Sequence, residues 1–310
     1  MAEGFTTLGL GIHERTKQDL SSLARQYSLH KDFIKAQYRK LRTPKRFLKY
    51  APFLLGLSLF KYFDESKEGL RFKFLESYYA VMRHLDDVAD VDALIPTGFT
   101  SRVLYLEHIK DDFENPNNIS GVEVAQLLKY CLQLGLGFGE DFTGEAKMLI
   151  EHMIEDAKRK DYFEKNDTPL LFPTKVEYQE YVRKEVESCM LVTIRLLGEE
   201  PETNVVIGKL AYAVMEYYSL RDLKENIANG FVDISIEEMK EHGGSENDFS
   251  NIPTTILTSR ARIALDKISR YEDEVENLNL KKVTSDALNY MFKRKAKKFL
   301  LQIAQDGSVS

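Results

Sequence analysis

No tryptophan occurs in the 310 residues, and cysteine occurs only twice, as Cys131 and Cys189. Two thiols so far apart make neither a zinc-ligand spacing nor a disulfide framework. A zinc module or a disulfide-stapled fold is therefore excluded, and a reducing, cytoplasmic setting is expected. An excess of basic charge is also missing: 43 Lys and Arg stand against 49 Asp and Glu, a formal net charge of -6. Nucleic acid is thus a poor partner. The most apolar run, Tyr50 to Phe63, contains Lys61 and is too short to cross a bilayer. The first twenty residues lack the charged and apolar regions of a signal peptide. These absences predict a soluble protein, with at most peripheral contact at a membrane surface.

Apolar content is ample. Hydrophobic residues make up 43% of the chain, with 18 Phe and 16 Tyr, enough for a sizeable core rather than a disordered chain. Apolar residues recur at three- and four-residue spacing over segments near 14–28, 31–42, 68–92, 101–114, 120–134, 141–163, 174–198, 202–229, 253–277 and 282–304. The eight prolines fall outside the interiors of these segments, where proline is tolerated. No convincing alternating strand is present. The pattern predicts an all-α bundle of about ten helices. The joints are short, so one domain is expected, 55–310, with 1–54 as a helical extension packed on it.

The most informative stretch is Glu76 to Asp92, ESYYAVMRHLDDVADVD. On a helix that advances about 100° per residue, Tyr79, Arg83, Asp86, Asp87 and Asp90 share one arc. Three carboxylates on one face repel each other and call for a cation. Mg²⁺ suits them, because it joins one or two carboxylates to a substrate phosphate. Arg83 is placed to bind the same phosphate. A solvated acidic helix end is the competing reading of this motif alone.

A second motif changes the balance. Tyr217 to Gly230, YYSLRDLKENIANG, also reads as helix. Tyr218, Asp222, Glu225 and Asn226 share a face with Arg221 beside them. Two helices of this kind suit a cleft in which Mg²⁺ ions pull charge onto a leaving diphosphate.

With both motifs in view, the chain resembles the squalene and phytoene synthases, the head-to-head prenyl synthases. Tyr79-Ala-Val-Met-Arg83-His-Leu-Asp86-Asp87-Val-Ala-Asp90 is similar to their first aspartate-rich motif, and Leu220-Arg221-Asp222-Leu-Lys-Glu225-Asn226 to their second. Ser58-Leu-Phe60 partly matches the Ser-rich segment ahead of the first motif. Tyr178 to Gly198 corresponds to a pocket-lining helix, and Phe292 to Phe299 to a basic terminal helix. The resemblance covers about residue 55 to the end.

The resemblance implies an all-α isoprenoid-synthase bundle with a central cleft, acting on farnesyl or geranylgeranyl diphosphate. One prenyl diphosphate ionises, the cation alkylates the double bond of a second, and a cyclopropyl intermediate rearranges with or without NADPH. By carry-over, Asp86, Asp90 and Asp222 bind Mg²⁺, with Asp87, Glu225 and Asn226 completing the candidate metal residues. Arg83 and Arg221 hold diphosphate. Tyr79 and Tyr181 sit by the reacting carbons, and Ser58, Phe60, Tyr218, Lys293 and Arg294 are further substrate-binding candidates.

The departures are specific. Asn226 replaces an Asp, and Met215 and Tyr218 replace a Gln and an Asn. Bulkier Val186, Glu187, Cys189 and Met190 stand where small residues are usual. Three readings follow: a head-to-head transferase, a class I terpene cyclase on one prenyl diphosphate, and a non-catalytic assembly or binding protein on the same fold. The basic stretch Lys31 to Lys49 reads as a solvated face or as a contact for anionic lipid. Oligomeric state is not encoded in these patterns.

Overall fold

Every regular element among the described residues is helical, apart from one isolated bridge between Phe172 and Ser235. The structure, a computed structural model, describes residues 20–41, 69–115, 121–199, 201–245, 252–278, 280, 282–288 and 296–307. Ser58, Phe60, Lys293 and Arg294 lie outside the described residues. Contacts divide the chain into two compact units, Met1–Ala146 and Lys147–Ser310.

In the first unit, α2 (Leu70–Ala89) is central. Leu70, Phe74, Tyr78, Val81, Leu85 and Val88 repeat at three and four residues, and all are buried. Each such side chain contributes about 1.5–3 kcal/mol. They pack on α4 (Glu123–Gly137), whose Leu127, Leu128, Cys131 and Leu134 are fully buried. α3 (Arg102–Glu114) begins at Ser101, whose hydroxyl accepts from Leu104 N at 3.1 Å, and sends Tyr105, Leu106 and Ile109 into the same core. Along the other side of α2 runs α1 (Leu20–Leu41). The periodicity there predicts two helices, 14–28 and 31–42. One helix runs through, because Leu29 and His30 between them are neither Gly nor Pro.

α5 (Thr143–Asn166) starts at the end of the first unit and continues into the second. In the second unit, Thr174 and Glu177 form a reciprocal capping box that opens α6 (Lys175–Val186). The sequence predicts one helix over 174–198. Instead, a π-helical turn, Glu187–Leu191, separates α6 from α7 (Val192–Leu196). The wider turn rephases the apolar face, so Tyr178, Val182 and Val186 before it and Val192 and Leu196 after it are all buried.

α8 (Pro201–Arg221) packs its Ile207, Leu210, Val214 and Tyr217 against Ile256, Ala261, Ala264 and Ile268 of α11 (Thr254–Glu276). The helix predicted over 202–229 breaks at Asp222, whose backbone (φ -93°, ψ 5°) leaves helical geometry before α9 (Leu223–Ala228). A short polar residue tolerates that region of backbone space. α10 (Ile236–Glu241), too short to show a period, was not legible in the sequence. α12 (Lys282–Leu288) and α13 (Lys297–Asp306) follow, and Leu300 and Ile303 of α13 pack on α11.

Gly230 ends the second motif at φ +87°, and a Cβ there would lie 2.2 Å from Phe163 Cγ. Gly230→Ala is therefore expected to cost several kcal/mol through strain and overpacking. Gly139→Ala meets nothing within 4 Å at φ +91°, so it should cost only the backbone term of about 1 kcal/mol. Thermal unfolding of the two variants side by side checks the difference.

Candidate functional site

The first motif ends α2. Arg83 is 8% exposed, and a guanidinium cannot shed its charge, so burial there requires carboxylates around it. Asp86 and Asp87, three and four residues on, pair with it directly, and Asp92 stands 3.5 Å away. Asp87 is completely buried and also accepts from Lys40 Nζ of α1 at 2.8 Å. With two cations already upon it, its geometry is that of a counter-ion. The Asp86 side chain keeps 32% exposure, and Asp90, the C-cap of α2, is exposed. These two carboxylates are one helical turn apart and remain accessible. Tyr79 is buried with its ring 5.7 Å from that of Tyr38.

α1 is tied to this helix at several levels. Tyr27 donates to the Glu76 carboxylate, the Phe33 ring lies 5.3 Å from His84, and Lys40 meets Asp87. His84 shares a hydrogen bond of 2.8 Å with Tyr105 Oη of α3 and so ties α2 to α3. Of the basic stretch, Lys40 is an internal counter-cation; its members beyond residue 41 lie outside the described residues.

The second motif straddles the break between α8 and α9. Arg221 binds its neighbour Asp222 with two nitrogens, Nε to Oδ1 at 2.6 Å and Nη2 to the other oxygen. The guanidinium lies 4.7 Å over the Tyr218 ring and 5.5 Å from Tyr217. Tyr218 therefore serves as a platform for Arg221. Glu225 is exposed and Asn226 half-buried. The Asn226 carbonyl accepts from Phe231 N at 2.8 Å, closing the turn to Gly230.

Tyr181 is buried, and its hydroxyl donates to Asp156 Oδ1 at 2.7 Å. Around it lies a network the sequence reading missed. Arg159 donates to Val232 O at 3.0 Å and Asp233 Oδ1 at 3.1 Å, with its guanidinium 4.5 Å over Phe172. His152, Asp156 and Arg159 recur at four and three residues on α5, and all three are buried. That spacing was the available signal. Farther along, Arg260 binds Glu238 at 2.6 and 2.8 Å and lies 3.4 Å from Glu216. Burial raises the Glu216 carboxyl above its ordinary range.

Among the described residues no three Asp, Glu, His or Cys side chains converge as a metal site. The accessible donors are nonetheless hard oxygens, which is what Mg²⁺ takes. Asp86 with Asp90, and Asp222 with Glu225, fit that chemistry as pairs whose remaining positions a phosphate and water would fill. Asp87 does not fit.

A solved structure similar to this chain is the squalene synthase HpnC from Alicyclobacillus acidocaldarius, with a TM-score of 0.62 over 93% of this chain and 96% of that one, at 14% identity. The chain thus has the all-helical squalene-synthase fold, as the sequence resemblance implies. No family model and no curated protein sequence matches it. No helix among the described residues is long and apolar enough to cross a membrane.

Two outcomes test this site. Lys40→Met should lower the unfolding free energy by about 2 kcal/mol, since it leaves buried Asp87 with one cation. Asp87→Asn in that background should recover part of the loss; strictly additive denaturation energies would show that the pair contributes nothing. Burial, aided by the Lys40 ammonium, pushes the His84 imidazolium down to about 4 against an ordinary 6.5. The unfolded chain then takes the proton first, so this contribution is complete above about pH 6.5 and lost as pH falls toward 4, roughly 3 kcal/mol in all. His84→Gln should flatten the stability profile across that window.

Proposed function

We propose that the protein is a Mg²⁺-dependent synthase that ionises prenyl diphosphates, joining two farnesyl or geranylgeranyl chains head to head. The carrying observation is how α2 ends: Arg83 is buried among carboxylates while Asp86 and Asp90 stay accessible. The fold it shares with a squalene synthase supports the same reading.

In this mechanism Asp86 and Asp90, and separately Asp222 and Glu225, would hold Mg²⁺. The metal supplies Lewis acidity toward the phosphate oxygens. Arg83 and, separately, Arg221 would each orient a diphosphate; each must exchange part of its carboxylate contact for phosphate, which matches a guanidinium's fork equally well. Breaking the C1–O bond sends its electron pair to the departing diphosphate. The allylic cation is captured by the double bond of a second chain, and loss of a proton closes the cyclopropane. Reduction by NADPH would be a later, separate step.

A second reading is the non-catalytic scaffold. One observation favours it: Lys40, Arg83 and Arg221 already neutralise acidic groups of both motifs.

Incubation with Mg²⁺ and geranyl, farnesyl or geranylgeranyl diphosphate separates these readings. Diphosphate release that depends on Mg²⁺ and falls at least a hundredfold in Asp86→Ala and in Asp222→Ala is expected. Product mass distinguishes joined chains from a single cyclised one. A folded protein that releases nothing from any substrate is the scaffold.

A further inference from the structure

The second unit carries a cavity of about 730 Å³ that contains no residue of either aspartate-rich motif. Its walls come from the outward face of α6, the π-helical turn, α8 and α11. That volume falls within the range of small-molecule sites. Four features of the lining converge on one kind of occupant.

The first is cationic. Lys209 and Lys267 line the cavity, and neither has a carboxylate within ion-pair distance among the described residues, although the buried Glu216 carboxylate acts on Lys267 from farther away. Each ammonium is instead stationed against an aromatic ring, Lys209 5.2 Å from the Tyr271 centroid and Lys267 5.3 Å from that of Tyr212. Both rings line the cavity too. Cation–π contact orders a lysine without consuming its charge. By contrast Arg183, a third cation in the wall, is saturated: Nε and Nη2 bind Glu180 at 2.8 and 2.6 Å, and Nη1 binds Glu187 at 2.5 Å.

The second is apolar. Val176 and Val205 are 71% and 61% exposed, among the most exposed large apolar side chains of the described residues, and both border this cavity. Val186 and Leu191 lie on its wall. Third, Glu187 and Leu191 belong to the π-helical turn, an irregularity that occurs often at functional sites. Fourth, Gly208 leaves the wall of α8 bare opposite that turn; a Cβ there would sit 3.4 Å from Leu191 Cδ2.

We infer that this cavity binds a soluble, single-chain amphiphile with an anionic phosphate or carboxylate head. The head is held by Lys209 and Lys267, and the chain lies along Val176, Val186, Leu191 and Val205. The charges already paired on Arg183 add a polar rim. This site is independent of the proposed reaction, and activity and binding here are separable.

The test is calorimetric titration with decyl phosphate below its micellar concentration, in EDTA so that metal-dependent diphosphate binding does not contribute. One-to-one binding is expected, with decanol and inorganic phosphate each far weaker. Lys209→Gln and Lys267→Gln should each weaken binding about tenfold, the loss of one charge-assisted contact. Gly208→Leu should block it by filling the wall, with circular dichroism confirming the fold; if that variant fails to fold, the lysine pair decides alone. Unchanged affinity in the double lysine variant, or decanol binding as well as decyl phosphate, overturns the inference. So does protein that sediments with anionic vesicles yet ignores the monomeric amphiphile, since the surface would then be a lipid contact.

Discussion

The burial of Arg83 is the constraint on which the first unit is organised. A guanidinium cannot neutralise itself, and it is buried on a helix whose opposite face buries Val81, Leu85 and Val88. Asp86 and Asp87, one turn on, supply the counter-charge. One of them, Asp87, is itself inaccessible and needs a second cation, which Lys40 brings from α1. The N-terminal helix is therefore part of the electrostatic structure of the motif. Tyr27, Phe33 and Tyr38 bind it along the rest of α2.

That arrangement sorts three adjacent-looking aspartates into different physical states. Asp87 is held by two cations, Asp86 shares Arg83 while keeping access to solvent, and Asp90 is exposed at the helix end. In the proposed function, Mg²⁺ would meet the last two. The second motif solves its charge problem differently. There Arg221 is satisfied by its immediate neighbour and stacked on aromatic rings at a helix break, so both partners are only partly withdrawn from water. Loosely held pairs exchange partners at smaller cost than buried ones, which is why Arg221 and Asp222 are the more adaptable half of the proposed chemistry.

Much of the fold was legible because helical burial writes itself at three- and four-residue spacing. α2, α3, α5 and α11 fall close to where the apolar pattern puts them. The pattern failed where helices change phase without a breaker. Neither the π-helical turn after Val186 nor the break at Asp222 carries Gly or Pro, and the periodicity on both sides hides the added rotation. The motifs were legible as residue types on one face. The internal partners of those residues were not: Lys40 lies 47 positions from Asp87, and Asp233 lies 74 from Arg159.

By itself, the sequence determined that the chain is helical, that it lacks zinc and disulfide frameworks, and that acidic residues cluster with an arginine at two places. These are properties of composition and local period. Only the tertiary structure decided which carboxylates are buried against cations and which stay exposed, and that two lysines stand on tyrosine rings beside an open cavity. Charge at a helix surface is readable from spacing. Its availability depends on what other helices bring against it, and no local pattern contains that.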